Sequence, residues 1–323
     1  MVFLTIILSH GYVMITVNGF SGLTYMLGFI ALSWIYVIMN LYAESISDAR
    51  ALATVMKNIS WLFCGLVALS YLQWFSGISP SPRPSFIGVE DGFSDAHLLS
   101  NLTALLWAGI AFTSLINKEL SYHFALLTLV VGICLIFNGS RNGLLIYVIS
   151  LALFFLNLPG IKLKLALCIL VGVTSLAIII YLETSYGVSS DLVQRALFKG
   201  IFSGEDVSVA ARLEGLGRVV GSDDNSLLLG KGLFSLKFGF FDGGITLWLN
   251  LFGIIGLMAL FLFVSQSLVV MYLNGYKYSL YISFLLGISF LITEFFITPR
   301  GMLIYCLVFF SVYRVEYLAK MRL

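Results

Sequence analysis

Arg141 stands in the stretch "NGSRNGLL", a short polar break between two long apolar segments. A turn of this kind needs glycine, asparagine or serine, but it does not need an arginine. The planar guanidinium binds phosphate oxygens through two parallel hydrogen bonds, which makes an arginine here a candidate phosphate ligand. The same side chain can also extend along apolar surface to the interface, cap helix carbonyls or pair with an acid. Both interpretations of Arg141 are open at this point.

Other arginines raise the same question: Arg83 and Arg300 lie in short polar stretches, and Arg212 lies in a long one. Two neighbours of Arg212 in that long stretch, Arg195 and Arg218, each have an acidic residue four positions earlier. This is the spacing of an ordinary salt bridge on a helix. Arg212 has no acidic residue three or four positions away on either side. It is therefore the arginine of that stretch least explained by local pairing.

Two carboxylates are candidates for chemistry beside these arginines. Asp242, in "FFDGGITLW", stands where the chain re-enters an apolar segment. It is either a helix N-cap or turn residue, or a group that orients and deprotonates a hydroxyl. Glu294 lies about one turn inside the end of an apolar segment, where a charge is costly and usually faces a partner or a wet cavity. Arg300 is the natural partner for Glu294.

The composition sets the environment of these residues. Of the 323 residues, 60% are hydrophobic and 11% are charged. A soluble domain cannot bury that much apolar surface, so the sequence predicts an all-α integral membrane protein. The net charge of +2 is too small to suggest nucleic-acid binding. The four cysteines fall in apolar runs without a CxxC or Cys/His cluster, so neither a metal site nor a disulfide framework is indicated.

About ten segments are long enough to cross a bilayer as helices, at ~20 residues each. We expect one membrane domain with N-terminal transmembrane helices in 1–182, a large loop in 183–244 and C-terminal transmembrane helices in 245–323. A second loop is expected at 77–96, and helical periodicity recurs inside the large loop at 206–220. The expected spans are near 2–17, 20–42, 58–76, 97–116, 121–138, 142–158, 163–182, 245–273, 278–298 and 301–318.

The lysines and arginines predict the orientation, because short loops rich in these residues stay in the cytoplasm. With the C-terminus inside, the short outer loops hold only Arg83, Arg141 and Arg300. The large loop then lies outside, which in a bacterial inner membrane is the periplasm. The inner loops hold Arg50, Lys57, Lys118, Lys162, Lys164, Lys277, Lys320 and Arg322.

Several segments, in order along the chain, resemble the polymerase and ligase superfamily of bacterial surface polysaccharides. These are "RPSFIGVEDGFSDAHLLSNLTALL", "SRNGLL" at the start of a span, "ARLEGL" in the long outer loop, "LLLGKGLF" and "DGGITLWLNLFGIIGL". The resemblance covers roughly residues 80–310. It is strongest to Wzy-type polymerases, which join the repeat units of O-antigen or capsule.

The resemblance implies a metal-independent glycosyltransferase with a GT-C-like helical fold and no cofactor. Its donor is a growing glycan on undecaprenyl diphosphate, and its acceptor is a repeat unit on a second such lipid. Asp242, near a position that the family's ligases use, is then the candidate catalytic base. The implied partners are the bilayer, these lipid-linked glycans, a chain-length regulator and a flippase.

The resemblance also implies binding roles for the other candidates. Arg141 and Arg212 match arginines of the family and are expected to hold the diphosphate, with Arg300 as a third member of the cluster. Arg83 is expected to contact sugar or phosphate at the rim of the site, and Glu294 to hold Arg300 in place.

Three alternatives are left open by the sequence. Ligases of this superfamily typically carry a His-Asn pair near the end of the large loop, where this chain has Phe241 and Asp242. A transporter or flippase typically shows paired repeats and helices interrupted near mid-membrane, and we expect neither here. A purely structural scaffold leaves Arg212 unexplained.

Overall fold

The computed structural model describes residues 34–35, 37–76, 92–118, 122–138, 140–158, 160, 207–221, 226–230, 244–292 and 299–321. Over these residues the fold is helical and contains no strand, which confirms the predicted all-α class. The helices are α1 (Ala49–Phe75), α2 (Gly92–Asn117), α3 (Tyr122–Asn138), α4 (Arg141–Asn157), α5 (Val207–Val220), α6 (Ser226–Leu229), α7 (Gly244–Leu273), α8 (Lys277–Ile292) and α9 (Pro299–Met321).

Three stretches of the described helices are long and apolar enough to cross a membrane: Leu99–Asn117, Ile245–Leu273 and Met302–Met321. They lie in α2, α7 and α9 and coincide with three of the predicted spans. Helices α3 and α4 contain shorter apolar stretches, at His123–Leu135 and Asn142–Asn157. Predicted spans at 2–17 and 163–182, and most of the one at 20–42, fall outside the described residues. The total of about ten spans therefore stays a prediction.

Two helices begin earlier than the apolar segments suggested. α1 begins at Ala49, nine residues before the predicted span at 58–76, because the Asp48 carboxylate accepts a hydrogen bond from the Arg50 backbone N–H at 2.9 Å. Such a contact caps a helix N-terminus. α2 begins at Gly92, so the last residues of the predicted loop 77–96 are helical. Polar residues ended the apolar segments in the sequence, but they do not end the helices.

The chain divides into two compact units, and α8 and α9 contribute residues to both. The α2 unit comprises the described residues of Ala43–Ser203, Tyr276–Leu286 and Val308–Leu323. The α7 unit comprises the described residues of Met1–Tyr42, Gly204–Gly275 and Gly287–Leu307.

Trp107, on α2, is the centre of the α2 unit and is fully buried. Its indole N–H donates to the Thr128 hydroxyl on α3 at 3.0 Å, and that hydroxyl donates to the Phe124 carbonyl at 2.8 Å. Tyr147, on α4, donates its hydroxyl to the Thr128 carbonyl at 2.8 Å and packs its ring edge-on against Trp107. Because lipid is as apolar as the helices themselves, polar contacts and close packing set how such helices associate. This network fixes α2, α3 and α4 to one another.

Helices α2 and α4 run parallel, and contacts at both of their ends establish this. Near their starts, Gly143 of α4 lies against Ser100 of α2. Near their ends, both helices contact Tyr281 of α8. The Phe112 ring lies 5.7 Å from the Tyr281 ring, and the Asn157 amide donates to the Tyr281 hydroxyl at 3.5 Å. The residues that begin α4 are therefore held beside the first half of α2.

Two charged residues inside the predicted span 301–318 serve as helix caps in the α2 unit. Glu316 is 5% exposed and accepts hydrogen bonds from two first-turn N–H groups of α8, at 3.1 and 3.0 Å. It also accepts from the Ser279 hydroxyl at 2.7 Å. Arg314 donates to the carbonyls of Glu44 and Ile46, at 2.9 and 3.0 Å. Both carbonyls lie at the end of the helical segment that precedes α1. A carboxylate at a helix start and a guanidinium at a helix end both suit the helix dipole.

The α7 helix exposes large apolar side chains over much of its length. Met258, Phe261 and Leu262 are 59%, 71% and 65% exposed, and Leu273 is 75% exposed. A contiguous apolar surface of this size is unfavourable in water and suits contact with lipid chains. The exposure of α7 thus agrees with its length and composition in indicating a membrane helix.

Tyr147→Phe removes the hydroxyl that bonds to Thr128 but keeps the ring against Trp107. We expect the free energy of unfolding in detergent micelles to fall by about 0.5–1.5 kcal/mol, the typical worth of one hydrogen bond between membrane helices. Tyr272→Phe is the matched control, because Tyr272 is 73% exposed and should tolerate the change. Thermal unfolding curves of both variants measure the difference, and an equal loss in both would contradict the proposed network.

Candidate functional site

The structure assigns helical positions to three of the predicted site residues. Arg141 is the first residue of α4, Arg300 is the second residue of α9, and Arg212 lies within α5. The others, Arg83, Asp242 and Glu294, lie outside the described residues.

Arg141 and Arg300 each stand in the first turn of a helix. The first-turn N–H groups of a helix lack acceptors within the helix, and the helix dipole adds a partial positive charge there. A cation gains nothing from this position, whereas an anion is attracted by the N–H groups and by the dipole. An arginine at a helix start therefore reinforces an existing attraction for anions.

Arg212 lies on the same helix, α5, as the predicted salt bridge between Glu214 and Arg218. Arg218 and Glu214 form that bridge at 3.3 Å, which confirms the predicted pair, and both side chains are about two-thirds exposed. An exposed pair of this kind contributes little to stability. Helical spacing places Arg212 on a different stripe, shared with Gly215, which is buried, and Leu216, which is half-buried. α5 packs against α7 within the α7 unit.

The start of α4 is buried in the α2 unit. Ser140, the N-cap residue, is 1% exposed, and its hydroxyl supplies no capping hydrogen bond within the described part of the chain. At Gly143, a Cβ atom would collide with the Ser100 hydroxyl oxygen and would lie 2.9 Å from the Ser100 carbonyl carbon. Only a glycine allows α2 and α4 to approach so closely.

Buried polar side chains lie at this contact or next to it along the chain, and we call them the buried polar cluster: Ser100, Asn101, Ser140 and Asn142. They are between 1% and 6% exposed. The Ser100 hydroxyl and both polar atoms of the Asn142 amide have no hydrogen-bond partner over the described ranges. A buried polar group without a partner costs about 1–3 kcal/mol. Native structures keep few of these, and each calls for an explanation.

Neither Ser100 nor Asn142 stands out in the sequence as a candidate site residue. Asn142 lies beside Arg141 in the stretch that drew attention to the arginine, but an asparagine next to a glycine indicates a turn. The weak signal was the run "SNLT", three polar residues and one leucine inside the predicted span 97–116. Such a run is expensive in lipid unless the side chains face protein, water or a ligand.

Helix α7 is interrupted at Gly253, which has φ 65° and ψ −168°. This corrects the expectation of uninterrupted helices, because that backbone conformation is essentially restricted to glycine. α6 packs against the interruption. A Cβ on Gly253 would collide with the Leu228 carbonyl oxygen and lie 2.5 Å from the Gly230 nitrogen. A Cβ on Gly230 would in turn lie 2.5 Å from the Phe252 nitrogen, so two glycines permit direct backbone contact.

The segments that carry the family resemblance meet in pairs. In the α2 unit, "SNLT" and "SRNG" meet where Ser100 lies against Gly143. In the α7 unit, "LLLG" meets "LWLNLFGIIG" at Gly230 and Gly253, and the helix that contains "ARLEGL" packs against the same α7. Stretches that are distant in sequence thus form two local assemblies, each built on a glycine contact.

Gly253→Ala should destabilise the protein. It forces a β-carbon into a backbone conformation that costs about 1–3 kcal/mol for residues other than glycine, and the new atom strikes α6. Gly287→Ala is the matched control, since Gly287 lies inside helix α8 and a Cβ there meets no described heavy atom within 4 Å. Thermal unfolding and membrane levels of the two variants test this. Equal behaviour would show that α6 does not pack on the interruption of α7.

Comparison with known proteins finds no relative of this chain. No protein-family model matches it, and no curated protein and no solved structure is found to be similar.

Proposed function

We propose that this protein is a glycosyltransferase of the bacterial inner membrane. It polymerises repeat units linked to undecaprenyl diphosphate into O-antigen or capsular polysaccharide. The observation that carries the proposal is Arg141 as the first residue of α4, at a buried helix start that favours an anion. The order of the resembling segments, and their meeting in pairs, supports the same family of enzymes.

The distribution of charge in the α2 unit supports an orientation for the reaction. Lys118 follows the end of α2, Lys277 begins α8 and Lys320 lies near the end of α9, and the two latter ammonium groups lie over tyrosine rings. Ser100 lies about 25 Å from the end of α2 by the helical rise. Gly143, two residues after Arg141, lies against Ser100. The end of the α2 unit that carries Lys118, Lys277 and Lys320 is taken as cytoplasmic, because cytoplasmic loops are rich in lysine and arginine. The arginine end is then periplasmic, where the lipid-linked substrates are presented.

The chemistry requires charge stabilisation more than covalent catalysis. A hydroxyl of the acceptor sugar attacks the anomeric carbon of the donor, and the bond from that carbon to the diphosphate oxygen breaks. Asp242 takes the proton of the hydroxyl, and undecaprenyl diphosphate leaves with the electron pair. Arg141, Arg212 and Arg300 stabilise the negative charge that develops on the leaving diphosphate, as fixed donors do in acyl and phosphoryl transfers.

Arg141→Ala should abolish the ladder of polysaccharide chains on a gel when it is the only copy in a deletion strain. One lost contact to a developing oxyanion typically lowers the rate by about 10²–10³. Arg141→Lys should rescue poorly, because an ammonium cannot form the two-pronged contact. The strain should instead show a single repeat unit on the lipid core.

Arg218→Ala is the matched control for the corresponding Arg212→Ala variant. Both residues lie on α5, but Arg218 is exposed and bonded to Glu214. The ladder should survive Arg218→Ala and disappear with Arg212→Ala at equal membrane levels. A normal ladder from both Arg141→Ala and Arg212→Ala would refute the proposed polymerase.

A transporter is the second candidate, because the interruption of α7 at Gly253 favours it. Broken helices in transporters offer backbone groups to a substrate within the membrane. Such a protein would move its substrate in vesicles, with dependence on an ion gradient and on Glu294, and the polymerase would not. Wholly uncapped lipid core in the deletion strain would likewise favour a flippase, or a ligase of the same superfamily.

A further inference from the structure

We infer that the buried start of α4 is a phosphoryl-binding site, in which Ser100 and Asn142 are ligands in addition to Arg141. The shared chemistry is a phosphate oxyanion carried by a lipid. The assignment to one phosphate of the undecaprenyl diphosphate rests on the proposed function.

The contact between Gly143 and Ser100 sets the geometry of the site. Gly143 brings the backbone of the first turn of α4 against Ser100, so closely that a Cβ would collide with the Ser100 hydroxyl oxygen. The hydroxyl is therefore held at the helix start itself. A hydroxyl at this place can donate to the same oxyanion that the first-turn N–H groups attract.

The side chains at this helix start carry donors and acceptors that the described part of the chain leaves unused. Ser100 is 1% exposed and Asn142 is 6% exposed. The Ser100 hydroxyl and the Asn142 amide have no hydrogen-bond partner in the part of the chain that the structure describes. Buried polar groups are nearly always satisfied, so these two point to a ligand that satisfies them when it is bound.

The charges around this helix start favour an anionic ligand. The members of the buried polar cluster are neutral, the adjacent Arg141 is a cation, and the helix dipole contributes partial positive charge. The Ser100 hydroxyl and the Asn142 amide N–H₂ can both donate. A phosphoryl group accepts several such bonds through its oxygens. The Asn142 amide oxygen is then available to accept a bond from a hydroxyl of the first sugar.

A binding role and a structural role of Ser100 and Asn142 predict different affinities for the ligand when these residues are replaced. If Ser100 and Asn142 bind a ligand, their buried polar groups lower the stability of the protein while that ligand is absent. Ser100→Ala and Asn142→Leu then remove this cost from the ligand-free protein. The unfolding temperature of the ligand-free variants should equal or exceed that of the wild type. The apparent Kd for undecaprenyl diphosphate in detergent micelles, read from the thermal shift, should rise at least tenfold. If the groups had only a structural role, the affinity would not change, whatever the effect on the unfolding temperature.

Ser60→Ala is the matched control. Ser60 on α1 is equally buried, and its hydroxyl likewise has no hydrogen-bond partner across the described residues. This variant should gain stability in the same way as Ser100→Ala but keep the affinity of the wild type. Loss of affinity in Ser60→Ala would overturn the assignment, because it would show that any buried serine acts on binding indirectly.

Two further probes distinguish the sources of the phosphate. The same titrations with inorganic pyrophosphate, and with phosphatidylglycerol in nanodiscs, should give weaker shifts than undecaprenyl diphosphate gives. An equal shift with phosphatidylglycerol, lost in the same variants, would overturn the substrate assignment and identify a site for membrane lipid.

The outcomes also separate this inference from the proposed function. If Arg141→Ala abolishes binding while Ser100→Ala and Asn142→Leu bind normally, the inference fails and the polymerase proposal stands. If all three variants lose affinity but Arg141→Ala and Arg212→Ala both retain the polysaccharide ladder, the binding site stands and the polymerase proposal fails. Absence of binding to the wild type would overturn the site.

Discussion

The hydrogen bonds that join Trp107, Thr128 and Tyr147 are the contact on which the α2 unit depends. Helices α2, α3 and α4 are apolar around most of their circumference, so in lipid their apolar surfaces do not by themselves specify a partner. The indole N–H, the threonine hydroxyl and the tyrosine hydroxyl each have one geometry in which they are satisfied. Meeting all of them together fixes the register of the three helices, and this register brings the start of α4 against Ser100.

Local patterns in the sequence predicted the features that depend on neighbouring residues. The helix at 206–220, its Glu214–Arg218 pair and the apolar helices at α2, α7 and α9 all follow from spacing and composition over a few turns. The interruption at Gly253 could not be predicted in this way, because "LFGIIG" is compatible with a continuous apolar helix. Only the approach of α6, with Gly230 at the contact, makes a glycine conformation necessary there.

The buried polar cluster and the two caps depend on residues that are distant from one another in the chain. Glu316 and Arg314 look like charges at the end of a span, and their partners lie 37 or more residues away in the chain. Gly143 looks like part of a turn until Ser100, 43 residues earlier, is found against it. Sequence spacing shows that an arginine begins a helix, but it cannot show what faces that helix start. Long-range packing determines the candidate site, and no local pattern encodes it.

The depth of a binding site in the membrane finally distinguishes the two candidate functions. A phosphate carried by a lipid stays near the headgroups, and at that depth the N–H groups free to bind it belong to helix starts, such as that of α4. The interruption at Gly253 lies about 13 Å along α7 from its start, where backbone groups suit a solute or ion that has left the interface. The unsatisfied polar side chains that the structure describes beside α4 lie at a helix start. Their position therefore favours an enzyme that acts on lipid-linked substrates at the membrane surface over a transporter.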